Sequence, residues 1–293
     1  MKKLLAVTYL FAFICLAVSA QTETDNSQVN EKLVSKKGIF ILPEQGEYAL
    51  GFDAYPMLSY VGNLLSNNGA SSPYTDYAAG AYGYQAIYGK YMLSNNKAIR
   101  IRLGLIDTKN SDLYPVVKSS LTPDANAPEF VNDEIVSLNK SFILAAGLEK
   151  RRGKSRIQGV YGGEVFFAFS RYETNTLYGN SINADFNTPV TYNNSYTSGR
   201  RLIEDNQSNV FTAGLRGFVG IEYFILPKLS LGGEFGYSLR FTSSGTREQI
   251  YEYWDGATSS VKKYSYKSNN DSYKFLGLDT DNLSSSINLI FYF

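Results

Sequence analysis

Between Ile99 and Leu105 every second residue is a branched apolar one, Ile99, Ile101, Leu103 and Leu105, and the residues between them are Arg100, Arg102 and Gly104. A period of two places these sets on opposite faces of a β-strand, whereas a soluble helix would scatter both around its circumference. The chain must build a sheet that is greasy on one side and ionic on the other.

The same period recurs along the chain. A first strand is expected over 47–58, with Tyr48, Leu50, Phe52 and Ala54 on one face and Ala49, Gly51 and Asp53 on the other. A second covers 86–93, where Ile87, Gly89, Tyr91 and Leu93 oppose Tyr88 and Lys90, and Ser94-Asn95-Asn96-Lys97 then turns the chain into the third, 98–106. Strands four to seven are expected over 138–149, 157–169, 211–225 and 229–239, with turns at Arg151-Arg152-Gly153-Lys154 and Leu226-Pro227-Lys228. The eighth begins near Ser284 and ends on Phe291-Tyr292-Phe293. Four long polar segments, near 61–83, 107–137, 171–209 and 241–283, separate the hairpins and are expected to be loops.

Composition fits this pattern. The chain holds 24 Tyr, 18 Phe and 25 Gly with a single Trp, yet its mean hydropathy is slightly negative, so beyond the N-terminus no stretch can cross a membrane as a helix. A transmembrane barrel passes that filter because lipid-facing and inward residues alternate in spans of about ten. In a soluble domain, structureless loops of this length would count against the strand assignment. The expected fold is all-β: an eight-stranded antiparallel up-and-down transmembrane β-barrel with short periplasmic turns and long extracellular loops.

The N-terminus reads as an export signal. Lys2-Lys3, an apolar run over 4–18 and Val18-Ser19-Ala20 before Gln21 supply the charged, hydrophobic and small-residue regions. The run is shorter than the roughly 20 residues of a spanning helix. Cys15 lies inside it behind Phe13 and Ile14, which argues against lipidation. The organisation expected is a signal over 1–20, a lead-in over 21–45 without strong period and flexible over 21–41, and a barrel over 46–293. Because Cys15 is the one cysteine and histidine is absent, an exported chain has no disulfide, thiolate site, thiol nucleophile or imidazole base. Neither cofactor nor metal nor enzymatic activity is expected. A net charge of +1 gives no electrostatic case for nucleic acid.

Counting back from the turns places Lys90 opposite Arg102 and Glu222 opposite Glu234. Directly opposed like charges destabilise a sheet unless something compensates. In an eight-strand barrel the second and third strands face the sixth and seventh, so the cations would meet the carboxylates across an interior only just wide enough for side chains. Lys90, Arg100, Arg102, Glu164, Arg216, Glu222 and Glu234 are therefore expected to form an ion-pair network that plugs the lumen. The same glutamates could be read as paired acid/base groups and the arginines as an anion-selectivity ring, but a structural plug is the simpler reading. The glycine pairs 162–163 and 232–233 do not stand between a strand and a helix, so they fit barrel bends better than a phosphate loop. Tyr251, Tyr253 and Trp254, followed by Tyr264 and Tyr266, form an aromatic group in the last long segment. They are candidates for extracellular recognition, or for self-packing and an interfacial belt.

Residues 51–64, GFDAYPMLSYVGNL, resemble the opening of small outer-membrane β-barrel proteins of Bacteroidetes, and 89–94 and 217–223 are similar to the same group. The resemblance spans the strands from about 46 to 293 and leaves the long segments unmatched. It implies an architecture comparable with OmpX and the OmpA membrane domain, outer-membrane lipid as surroundings, and Phe291 and Phe293 as the C-terminal signal presented to the barrel-assembly machinery. Function is then expected to be surface interaction or envelope integrity, with no known extracellular ligand. A narrow channel for small solutes is the alternative, which planar-bilayer conductance separates from a plugged barrel. A soluble lipocalin-like calyx is the rival fold, and it would turn the arginines and glutamates outward.

Overall fold

Alternation of this kind can be satisfied only if the strands find neighbours on both edges. In the computed structural model, which describes residues 33–53, 85–122, 124, 126–268, 272–280 and 287–293, they do so by closing on themselves. The signal segment and the 61–83 segment lie outside the described residues, as do residues 54–58 of the first expected strand.

Eight strands form the closed set: β1 (Tyr48–Asp53), β2 (Gln85–Ser94), β3 (Lys97–Val117), β4 (Phe130–Arg152), β5 (Ile157–Leu177), β8 (Val210–Leu226), β9 (Leu229–Ser244) and β13 (Ile287–Tyr292). Each is antiparallel to the next, β9 pairs with β13, and β13 returns to β1, so the hydrogen-bonded ladder makes a ring without a free edge. Five further strands lie beyond it: β6 (Tyr196–Thr197), β7 (Arg200–Asn206), β10 (Arg247–Asp255), β11 (Ser260–Ser268) and β12 (Lys274–Thr280). The fold is all-β and antiparallel. Among the described residues no helix is long and apolar enough to cross a membrane.

Short turns collect at one end. They join β2 to β3, β4 to β5 and β8 to β9, and the termini of the ring meet there too, Tyr48 N–H donating to the Phe293 carbonyl at 2.9 Å. Arg151 and Arg152, expected in a turn, instead finish β4, which moves the turn to 153–156. At the β8–β9 turn Lys228 takes a positive φ of 62°. Of the lead-in, residues 34–45 are tied down: Val34 bridges Phe40, and Ile41 is buried with its carbonyl accepting from Lys228 N–H at 3.1 Å.

At the other end the strands run far past their expected limits. β3 and β4 reach 21 and 23 residues, so much of 107–137 is a continued ladder in which Asp107 pairs with Lys140 and Tyr114 with Asp133. The other two described segments hold strands as well, β6 and β7 in one and β10, β11 and β12 in the other. β5 pairs with β8 as far as Ser170, then takes β7 from Glu173 onward. The expectation of long loops is therefore corrected. Hydrophobic alternation stops at Leu105, but polar strands keep their backbone hydrogen bonds.

Close contact inside the ring depends on missing side chains. A Cβ at Gly162 would run into the Leu148 carbonyl oxygen, whereas one at Gly159 would meet the Arg152 carbonyl at an ordinary 3.5 Å. We expect Gly162→Ala to lower stability by about 1–3 kcal/mol and Gly159→Ala to leave it nearly unchanged, read as unfolding midpoints in urea. Equal midpoints for the two variants would contradict this packing.

Candidate functional site

The ring sorts side chains by parity, and the sorting is inverted relative to a water-soluble domain. Outward stand Leu50, Ile87, Ile99, Ile101, Leu105, Phe142, Leu144, Phe167, Val219 and Phe235, all exposed. Inward stand charges: Arg100 is 2% exposed and Glu222 1%.

Five cations and four carboxylates form one connected cluster. Lys90 lies 2.9 Å from Glu149 and 3.4 Å from Glu222. Arg100 grips Glu234 with two nitrogens, at 2.9 and 3.1 Å, and reaches Glu149 and Glu164 at 3.4 Å each. Arg102 holds Glu164 at 2.5 Å, and Arg216 bridges Glu234 at 2.9 Å and Glu164 at 3.4 Å. Arg151 donates to Glu149 at 3.2 Å, to Glu222 and to the Tyr292 hydroxyl. Glu222 also accepts from Tyr292 at 2.7 Å and from Ser230. Phe218 stacks beneath the cluster, 4.1 Å from the Arg100 guanidinium and 5.5 Å from that of Arg216. Toward the short turns Met92, Ala98 and Phe224 are fully buried beside the buried polar Arg151, Gln158 and Ser230.

All seven residues expected in the network are in it. Two members, Glu149 and Arg151, were missed. Glu149 shares the inward parity of β4 and could have been read from the alternation, whereas Arg151 was assigned to a turn. The expected pairings need correcting: Lys90 lies opposite Arg100, not Arg102, and Glu222 opposite Gly232, not Glu234. Each expected pairing is off by two residues, of which the one-residue register slip between Met92 and Ser94, or between Phe224 and Leu226, accounts for one. An offset of two keeps every side chain on its own face, so the cross-ring pairing is unaffected. Among the described residues no group of His, Cys, Asp and Glu is arranged to hold a metal.

A second arrangement lies in the sheet β7–β10–β11 beyond the ring. Tyr251 is opposite Tyr264, Gln249 opposite Tyr266 and Tyr253 opposite Lys262, so four tyrosines share one face. Arg200 lies over two of them, 4.3 Å from the Tyr264 ring and 5.5 Å from that of Tyr253. Trp254 has the opposite parity and belongs to the other face with Glu252, which Arg201 engages at 2.8 Å. The aromatic group expected to act together is thus divided. Beside it, Tyr178 donates to the Leu202 carbonyl at 2.7 Å, and burial pushes its hydroxyl up to about 12, so it stays a neutral donor. Phe291 and Phe293 both point outward, Phe293 stacking on Tyr48 with ring centroids 6.5 Å apart.

Comparison with protein-family models, with curated proteins and with solved structures returns no match.

Removing one partner from a buried ionic cluster strands the others and costs about 3–5 kcal/mol, while removing both with apolar replacements of similar volume is far milder. We expect Glu234→Leu to destabilise the ring by that amount and Arg100→Met together with Glu234→Leu to recover part of the loss, measured by urea unfolding. A double variant no more stable than the single one would show that the pair is not coupled.

Proposed function

We propose that the ring is a transmembrane β-barrel of the outer membrane, sealed by its own side chains, which carries a β-sheet outside the cell for surface interaction or envelope integrity. The observation that carries this reading is the inversion: Ile101 is 49% exposed while its neighbour Arg100 is 2% exposed. In water so broad an apolar exterior would be a liability, and in hydrocarbon it is the required surface. The closed ladder satisfies the second demand of a bilayer, that no backbone group be left unpaired.

Strand length supports a division between membrane and exterior. A spanning strand needs about 9–11 residues, and the continuous outward apolar alternation of β3, β4 and β5 breaks after Leu105, Phe142 and Phe169, with exposed apolar residues recurring beyond it at Leu113, Val117, Phe130 and Leu177 near the far tips. Asp107, Lys140 and Arg171 come next in register. The remaining ten or so residues of β3 and β4 would project roughly 35 Å at about 3.3 Å per residue, carrying the tyrosine face with them. Loops and extensions on a rigid scaffold are where recognition usually resides. An eight-strand interior crossed by nine paired ionic side chains leaves little room for the alternative, a solute channel. On this reading the chain is grouped with the small barrels of Bacteroidetes that its strands resemble, it is exported through residues 1–20, and Phe291 and Phe293 are displayed to the assembly machinery. It carries out no reaction of its own.

Two measurements test the proposal. A cysteine replacing Leu144, which is 40% exposed, should react with a maleimide dissolved in the bilayer, and one replacing Ala145, 1% exposed, should not. The reverse result would refute the membrane orientation. An epitope inserted at residues 256–259, the β10–β11 turn, should be stained on intact cells, and the same epitope at the 95–96 turn should not. Staining at both turns, or at neither in intact cells, would refute the display of this sheet outside.

A further inference from the structure

Near the short turns the outward surface of the β3–β4 wall carries only cations. Lys97 lies directly opposite Lys150, and Arg152 follows two residues later on the same outward face, with Lys154 in the turn beyond. All but the half-buried Lys150 are exposed. Among the described residues none of these four side chains has a hydrogen bond or an ion pair. Like charges directly opposed across a ladder repel, so the fold keeps an uncompensated cost here. At the far rim the signs are mixed instead: Asp107 pairs with Lys140, and Arg171 contacts Glu173 at 2.9 Å.

Position narrows what can supply the counter-charge. Lys97 and Lys150 are one outward step beyond Ile99 and Leu148, which are opposite each other at the edge of the apolar surface. Tyr91 is in register with Ile99 and Tyr48 with Tyr91, their rings 4.9 Å apart, so aromatic groups mark the same level on the neighbouring wall. Tyrosines at such a level sit at the headgroups of a bilayer. A soluble anion would answer the charge alone. A phosphodiester attached to acyl chains answers the charge and covers Ile99 and Leu148 at the same time.

We propose that Lys97, Lys150, Arg152 and Lys154 form a binding site for the headgroup of an acidic phospholipid in the leaflet at the short-turn end. The site rests on the transmembrane reading and adds to it a lipid preference. Its phosphate lies between Lys97 and Lys150, and the Arg152 guanidinium donates to it from the next outward position.

The test uses the full chain folded into nanodiscs containing equal phosphatidylglycerol and phosphatidylcholine, with retained lipids counted by native mass spectrometry. A basic residue near an anionic surface is worth about 1 kcal/mol, or roughly fivefold, so the four cations together should make the wild type retain phosphatidylglycerol over phosphatidylcholine by roughly hundreds of fold. The variant with Lys97→Gln, Lys150→Gln, Arg152→Gln and Lys154→Gln should lose that preference, and Lys150→Gln alone should reduce it about fivefold. Lys109→Gln with Lys140→Gln, at the far rim, should leave it intact. No preference in the wild type, or equal loss in the far-rim variant, would overturn the site while leaving the barrel standing. Failure of the wild type to enter either lipid would instead overturn the transmembrane reading and the site with it.

Discussion

A charge enclosed by the ring can be accommodated only by an opposite charge from another strand. That constraint organises the rest. Glu222 on β8 receives Lys90 from β2, Arg151 from β4 and Tyr292 from β13, so its carboxylate is satisfied only when four strands from distant parts of the chain stand at the right heights. Arg100 likewise binds carboxylates on β4, β5 and β9. Such clusters add modest net stability, because desolvation offsets most of the attraction, but an incorrect pairing leaves a buried charge alone. The cluster therefore acts mainly by making alternative registers expensive. With polarity confined inside, the outer residues of each strand are free to be apolar, and the closed ladder exposes no edge through which those strands could aggregate.

Much of the ring was legible in the sequence because strand parity is a local property. Ile99, Ile101 and Leu103 state which way Arg100 and Arg102 point whatever the neighbouring strands do. Pairing depends instead on turn geometry, and the positive φ of Lys228 is not visible in Pro227-Lys228 as residues. The two-residue register errors left the site intact only because the period is also two. Strand length was not legible for a different reason. The alternation that marks a strand reports an apolar outer face, and once Asp107 and Lys109 replace leucines there, the signal ends while the ladder continues to Val117. The division of Tyr253 from Trp254 was hidden similarly, since neighbours in a presumed loop carry no face.

The sheet beyond the ring meets a harder problem than the ring itself. β5 exchanges β8 for β7 just after Ser170, and from there the wall opens into β7, β10 and β11, with β11 paired only to β10 among the described residues. An open edge of this kind invites another chain to add a strand. β11 answers with Lys262, Lys263 and Lys267 in nine residues, and lysine on an edge strand is a common way to discourage such pairing. Lys263 and Lys267 lie on the face of Glu248 and Glu252, where Glu248 approaches Lys267 at 3.7 Å. Lys262 lies among the tyrosines beside Arg200. The edge is thereby defended by charge rather than by bulk, which leaves the tyrosine face accessible while the backbone next to it is protected. Rigidity comes from the ring, through the continuous ladder β4–β5–β7–β10. The tyrosine face can then remain open and exposed without having to hold the fold together.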